Sequence, residues 1–272
     1  MPRGRTVTVL TRRFDGELGG RAPDELVVEE PLEIHLDDVL VATTMRTPGH
    51  DFELAAGFLH GDGLLGDAPI ETIRYCGTGS AVDTGFNVVS VSTGGRAPVP
   101  EPRLGATSSS CGLCGSATLL GDLTERLAPL PGAHPFALDV LAAVPDRVRE
   151  HQELFALTGA VHAAAAFTAD GTPVVAREDI GRHNAVDKVV GRLLLDGALP
   201  ARPLGLFVSG RASFEMVQKA WAAGFSAVVA VSAPSALAVQ AARTAGITLT
   251  GFARDGELNV YAPEDRPPED GP

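Results

Sequence analysis

Hydrophobic and polar positions alternate differently in the two halves of the chain. In the first half, the apolar runs 32–36 and 39–42 flank Asp37-Asp38, which predicts a β-hairpin around an acidic turn. The same pattern predicts one amphipathic helix, at 52–59, and further strands at 6–10, 70–75 and 86–91. We therefore predict a small α+β domain at 25–102, preceded by an N-terminal extension at 1–24.

In the second half, strands and helices alternate at the spacing of βαβ units. Helices are predicted at 184–195, 214–223 and 236–245, and strands at 159–167, 173–176, 204–208, 227–231, 247–252 and 257–261. Asp170-Gly171 predicts a hairpin with a type I′ turn, because this pair tolerates positive φ. The predicted fold class is α/β, with a mainly parallel or mixed sheet at 136–262. Residues 103–135 are predicted as a flexible loop and a connecting helix, and 263–272 as a disordered acidic tail.

Composition narrows the class of protein. The chain has 272 residues, of which 44% are hydrophobic and 21% charged, and a formal net charge of −12. Such a negative field disfavours nucleic acids and anionic membranes as partners. We find no signal peptide and no apolar run of about 18 residues. The three cysteines do not form a disulfide framework, so we expect a cytoplasmic protein with reduced thiols.

Two of the cysteines stand close together. Cys111 and Cys114 lie within 107–116, a segment of small and hydroxylic residues that predicts an accessible loop. Ser116 then precedes an apolar run that predicts a helix, and unpaired N–H groups at a helix start stabilise a thiolate. On these residues alone the pair could be a redox dithiol, half of a zinc site or a sulfur-carrying nucleophile.

Polar residues also collect where predicted strands end and helices begin, which is where ligands bind to parallel sheets. One such loop contains Ser209, Gly210 and Arg211, and another contains Arg254 on a glycine-flanked turn. Their hydroxyl, backbone N–H and guanidinium groups suit a phosphate-bearing ligand. A third junction, 177–188, is densely polar and includes Arg182 and His183. Helix capping and ion pairing are the structural alternatives for this segment.

Three motifs agree in order with one known family. The segment Ser108-Ser109-Ser110-Cys111-Gly112-Leu113-Cys114-Gly115, the polar segment 177–188, and Ser209-Gly210-Arg211 with Phe214-Glu215-Met216 together resemble the FdhD family of formate dehydrogenase accessory sulfurtransferases. The resemblance covers about residues 25–261. It implies a cytidine-deaminase-like C-terminal domain behind a smaller N-terminal domain.

The resemblance also implies a function. A protein of this family takes sulfur from a cysteine desulfurase as a cysteine persulfide. It then delivers the sulfur to the molybdenum cofactor, a bis(molybdopterin guanine dinucleotide), before insertion into formate dehydrogenase. Cys111 and Cys114 are then the catalytic residues, and GDP is a partial mimic of the cofactor. The cofactor-binding residues expected from the resemblance and the strand ends are Phe252, Ala253, Arg254, Asp255, Gly256, Glu257, Ser209, Gly210, Arg211, Arg182 and His183.

Three other functions remain as alternatives: a zinc deaminase, a thiol–disulfide oxidoreductase and a non-catalytic cofactor chaperone. A deaminase needs His-x-Glu and Pro-Cys-x-x-Cys at two helix starts, whereas this chain has His183-Asn184-Ala185 and Ser209-Gly210-Arg211. We therefore expect no catalytic zinc. The oxidoreductase is disfavoured because a Ser-rich loop, rather than a thioredoxin-type strand, precedes Cys111. A homodimer is one possible assembly.

Overall fold

The acidic turn at Asp37-Asp38 forms as predicted, and its backbone shows why the chain reverses there. In the computed structural model, Asp37 and Asp38 have φ angles of 45° and 69°. Both are left-handed, as a type I′ hairpin turn requires, and short polar side chains tolerate this conformation. The structure describes residues 4–76, 80–82, 84–99, 116–130 and 136–263.

The described residues form twelve strands and seven helices. The strands are β1 (Thr6–Phe14), β2 (Leu18–Val27), β3 (Glu30–Leu36), β4 (Val39–Arg46), β5 (Thr72–Tyr75), β6 (Val88–Ser92), β7 (His162–Phe167), β8 (Pro173–Asp179), β9 (Gly205–Val208), β10 (Ala227–Ala230), β11 (Thr248–Arg254) and β12 (Glu257–Ala262). The helices are α1 (Asp51–Gly61), α2 (Ser116–Arg126), α3 (Leu138–Arg149), α4 (Glu153–Thr158), α5 (Arg182–Leu195), α6 (Phe214–Ala223) and α7 (Ala236–Ala245).

These strands make three sheets of mixed architecture. β1 and β2 pair with each other, and the N-terminal half also has a four-stranded sheet of order β4-β3-β6-β5. The C-terminal half has a six-stranded sheet of order β12-β11-β10-β9-β7-β8. Within it β9, β10 and β11 are parallel, whereas β7, β8 and β12 are antiparallel to their neighbours. The α/β class is confirmed at this level, and the six-stranded sheet is mixed.

Three local features differ from the sequence prediction. The run at 6–10 continues to Phe14 and pairs with β2, although the pairing segment is rich in glycine and polar residues. Helices α3 and α4 are absent from the prediction, and Pro145 lies inside α3, where proline usually ends a helix. The hairpin at Asp170-Gly171 forms, but only Gly171 of the pair has a positive φ, 82°, so the turn is not type I′.

The six-stranded sheet has a separate core on each face. Leu206, Val208 and Leu249 pack on the face covered by α5, α6 and α7. Phe207, Val229 and other side chains pack on the opposite face against α3. This alternation follows from the two-residue period of a strand. Among the described residues, no helix has both the length and the apolar character needed to cross a membrane.

The two halves of the chain meet at a close crossing of α1 and α5. Gly57 and Gly191 face each other there: a Cβ on Gly57 would lie 1.8 Å from the carbonyl oxygen of Asp187, and a Cβ on Gly191 would lie 1.8 Å from that of Glu53. Both positions therefore require glycine, because the two backbones are in direct contact. Beside the crossing, a buried ion pair joins Lys219 Nζ to Asp187 Oδ1 at 2.7 Å.

Glu53 links α1 to β8 by an ion pair, and its ionisation makes the stability of the fold depend on pH. Arg177 donates from Nε and Nη2 to the two carboxylate oxygens, at 2.6 and 2.9 Å. Burial opposes ionisation, but the hydrogen bonds with Arg177 and His50 outweigh it and lower the pKa of Glu53 from 4.5 to about 2.

We expect the free energy of unfolding to fall as the pH drops from 4.5 toward 2. The depressed pKa of Glu53 contributes stability that is present above its unfolded value of 4.5 and is lost as the pH approaches 2. The contribution is up to about 3 kcal/mol. Urea unfolding at intervals between pH 6 and 2.5 measures it. Glu53→Gln should lower stability at pH 6 and flatten the curve below pH 4.5; an equal slope in the variant and the wild type contradicts the assignment.

Candidate functional site

Most of the polar side chains of segment 177–188 bind other elements of the fold rather than facing a cavity. Glu178 accepts the N–H groups of Leu154 and Phe155 at the start of α4, each at 2.8 Å. Asp179 is fully buried and lies 2.7 Å from Lys188 Nζ. Lys188 in turn donates to the carbonyl of Thr47 in the N-terminal half at 3.0 Å. Capping and ion pairing, the structural alternatives for this segment, are what the structure shows for these side chains.

Arg182 and His183 differ from the rest of that segment. They are the first two residues of α5 and are half-buried. Arg182 Nε and His183 Nε2 are buried atoms without a hydrogen-bond partner among the described residues. His183 Nε2 lies 3.8 Å from Glu215 Oε2, and the interaction with His183 lowers the pKa of Glu215 to about 2. Glu215 is therefore ionised at neutral pH.

A cleft of about 460 Å³ opens at the end of the six-stranded sheet. Helix α3 contributes Asp146 and Arg149 to its lining, and the end of β11 with the turn after it contributes Arg254 and Asp255. His162 and Ser209 also line the cleft, with Phe207, Val231 and Ala253 as part of its apolar surface. Its volume is in the range typical of small-molecule sites. Two guanidinium groups and a hydroxyl make this donor set suitable for a phosphate-bearing ligand.

A β-bulge turns β11 toward the cleft. Phe252 has φ = 53°, and the pairing with β12 shifts register between Gly251 and Arg254. Leu249 packs on the α5–α7 face, whereas Ala253 packs on the α3 face, although strand alternation would place both on the same face. The extra residue reverses the alternation. As a result Ala253 and Arg254 line the cleft.

The structure brings part of the predicted cofactor site together. Ser209, Ala253, Arg254 and Asp255 line the cleft. Gly210 is adjacent, because a Cβ on it would lie 3.6 Å from the His162 ring and 3.8 Å from Arg182 Cδ. The other predicted residues are not among those that line it: Arg182, Arg211, His183, Phe252, Gly256 and Glu257. Cys111 and Cys114 lie outside the described residues.

Sequence reasoning did not place four polar side chains in the cleft: Asp146, Arg149, Gln152 and His162. The first two belong to α3, which the apolar spacing of Leu141, Val144 and Val148 could have revealed. His162 begins a strand that was predicted, but nothing in the sequence indicates which strand lies beside it. Within the described ranges, no group of three or more His, Cys, Asp or Glu residues could hold a metal ion.

Comparison with known proteins gives consistent matches. The sequence profile of the FdhD/NarQ family matches residues 27–267. The sulfur carrier protein FdhD of Streptomyces avermitilis is 50% identical over 260 residues, which cover 93% of this chain and 92% of that protein. The protein of the same name from Mycobacterium tuberculosis is 46% identical over 253 residues, covering 90% of this chain and 92% of that protein.

A solved structure agrees in fold. The crystal structure of a proposed formate dehydrogenase accessory protein from Desulfotalea psychrophila superposes with a TM-score of 0.77 at 25% identity. The match covers 96% of this chain and 99% of that one.

Proposed function

The chain belongs to the FdhD/NarQ family, and from that premise we propose that it is a sulfur carrier in the maturation of formate dehydrogenase. It accepts sulfur from a cysteine desulfurase and transfers it to the molybdenum cofactor, a bis(molybdopterin guanine dinucleotide), which is its substrate. Relatives named as sulfur carrier proteins support this role. In this proposal the protein is cytoplasmic and its C-terminal half is cytidine-deaminase-like.

Two thiols are sufficient for a balanced sulfur transfer. The Cys111 thiolate attacks the terminal sulfur of the desulfurase persulfide. The cysteine of the desulfurase leaves as a thiolate, and Cys111 becomes a persulfide. The Cys114 thiolate then attacks the inner sulfur of that persulfide. Hydrosulfide is released toward the molybdenum, and Cys111 and Cys114 become a disulfide. A cellular thiol reduces this disulfide and completes the cycle.

The observation that carries the cofactor part of the proposal is the cleft at the sheet end. It gathers Ser209, Ala253, Arg254 and Asp255, all of which were expected to bind the cofactor, around one cavity of about 460 Å³. A cavity of this size suits one nucleotide end of the cofactor rather than the whole dinucleotide pair. Arg149 and Arg254 would hold its phosphates through charge-assisted hydrogen bonds.

Sulfur acceptance and delivery are tested in one experiment. The protein is incubated with a cysteine desulfurase and radiolabelled cysteine, isolated, and then added to formate dehydrogenase that lacks active cofactor. We expect label on the carrier first, and then formate oxidation. A cofactor chaperone would support formate oxidation without becoming labelled, and an oxidoreductase would cycle between thiol and disulfide without retaining label.

We expect Arg254→Ala to weaken GDP binding about ten-fold or more. The substitution removes a guanidinium from the cleft, and a charge-assisted hydrogen bond contributes about 1.5–3 kcal/mol. Titration calorimetry measures the affinity. Arg13→Ala is the matched control, since Arg13 is exposed on β1 and does not line the cleft. Equal GDP affinities in Arg254→Ala and wild type would remove Arg254 from the site.

A further inference from the structure

His162 occupies a place in the cleft that the proposed roles leave without an assignment. It begins β7, which is antiparallel to β9, so its side chain lies beside the end of β9. There Ser209 N donates to the carbonyl of Ala163 at 2.9 Å. The half-buried imidazole lines the same cavity as Arg149 and Arg254.

Ser209 lies beside one nitrogen of this imidazole. Its Oγ accepts the N–H of Ala163 at 2.9 Å and lies 3.4 Å from His162 Nδ1. Because the hydroxyl oxygen is already an acceptor, its own hydrogen is available for Nδ1. A neutral imidazole that accepts at Nδ1 carries its proton on Nε2. His162 is then a hydrogen-bond donor on its remaining nitrogen.

The charged groups around His162 carry both signs. Burial, and then the positive charges of Arg182 and His183, lower the pKa of His162 below 6.5, while Asp179 acts in the opposite direction. The imidazole is therefore neutral at pH 7. The cleft is also lined by Arg149 and Asp146 of α3, and by Arg254 and Asp255 at the end of β11. A bound phosphate would offset the positive charge of Arg182, which also has a buried Nε without a partner among the described residues.

We propose that His162 is a ligand-binding residue that donates from Nε2 to a phosphate oxygen of the bound nucleotide, and that Ser209 positions it through Nδ1. This inference rests on the proposed function, since it assigns part of the same cofactor site. It names the phosphate group, rather than the base, as what His162 recognises. Phosphate binding raises the pKa of the imidazole, so GDP affinity should rise as the pH falls from 7.5 to 6.

The test compares three probes, GDP, inorganic pyrophosphate and guanosine, by titration calorimetry. His162→Ala should weaken GDP and pyrophosphate binding by about ten-fold and leave guanosine unchanged. His162→Gln, whose amide can donate from nearly the same place as Nε2, should recover most of the affinity but lose the protonation-linked part of the pH dependence. His35→Ala, on β3 and away from the cleft, is the control and should match the wild type.

A second measurement separates positioning by Ser209 from a general structural effect. The imidazole ¹⁵N shifts of His162 in the free protein should report the Nε2–H tautomer, and Ser209→Ala should give a mixture of tautomers with about three-fold weaker GDP binding. Wild-type GDP affinity in His162→Ala, or a loss confined to guanosine, would overturn the inference. Failure of the proposed cofactor site itself would appear differently, as no GDP binding by the wild-type protein.

Discussion

We expect the substitution of Cys111 by serine to abolish sulfur loading and to leave GDP affinity unchanged. A serine hydroxyl keeps the shape of the side chain but does not attack a persulfide at neutral pH, because the thiolate is the nucleophile in this exchange. After incubation with a desulfurase and cysteine, mass spectrometry should show the gain of one sulfur atom in the wild type and none in Cys111→Ser. In the proposed function, the cleft residues rather than Cys111 bind the cofactor.

Two other cysteine variants serve as comparisons. Cys114→Ser should gain the sulfur atom but release it slowly, because no second thiolate is present to form the disulfide. Cys76→Ala should load sulfur as the wild type does, since Cys76 is a buried free cysteine. If Cys111→Ser gains sulfur and Cys114→Ser does not, the roles of the two residues are reversed.

Local elements of the fold follow directly from the sequence, because their determinants are close together in the chain. The pattern predicts α6 and α7 with the bounds that the structure shows, Phe214–Ala223 and Ala236–Ala245. Each helix ends at a glycine, Gly224 or Gly246, with a left-handed φ of 81° or 77°. Glycine adopts this conformation without a steric penalty, so these stops are readable from the sequence.

The polar segment 177–188 cannot be assigned from the sequence alone, because the hydrogen-bond partners of its side chains are distant in the chain. Asp179 accepts the N–H of Thr47, 132 residues away, and Asn184 donates to the carbonyl of Met45. A cluster of polar residues in a sequence indicates either a ligand site or a set of buried hydrogen bonds between elements of the fold. Only the tertiary structure shows that most of this segment satisfies buried polar groups, while Arg182 borders the cleft.

The sequence predicts only those parts of the cleft that lie at the carboxyl ends of parallel strands, where ligands usually bind. Ser209 follows β9 and Arg254 is the last residue of β11. Both strands are parallel to β10 between them, so the two residues lie at the same end of the sheet. His162 stands at the beginning of its strand and reaches the same edge because β7 is antiparallel to β9. The rule for parallel strands therefore does not by itself place it there.

We expect Gly191→Ala to cause the largest loss of stability. Alanine is favoured over glycine within a helix by about 1 kcal/mol, but the new Cβ would lie 1.8 Å from the carbonyl oxygen of Glu53 and 2.8 Å from the Gly57 nitrogen. Backbone atoms of α1 can yield only if the helices separate. We expect a net loss of at least about 3 kcal/mol, which thermal unfolding should show as a Tm lower by about 6–12 °C.

The matched control is Gly121→Ala in α2, where a Cβ would have no neighbour within 4 Å. There the helix propensity acts alone, so this variant should be slightly more stable than the wild type. Gly57→Ala should resemble Gly191→Ala, since the two glycines oppose each other. The double variant should then lose less than the sum of the two single losses, because once α1 and α5 have separated for one methyl group, the second finds part of its space already open. Additive losses would mean that the two methyl groups are accommodated by independent movements and that the crossing is not a single contact.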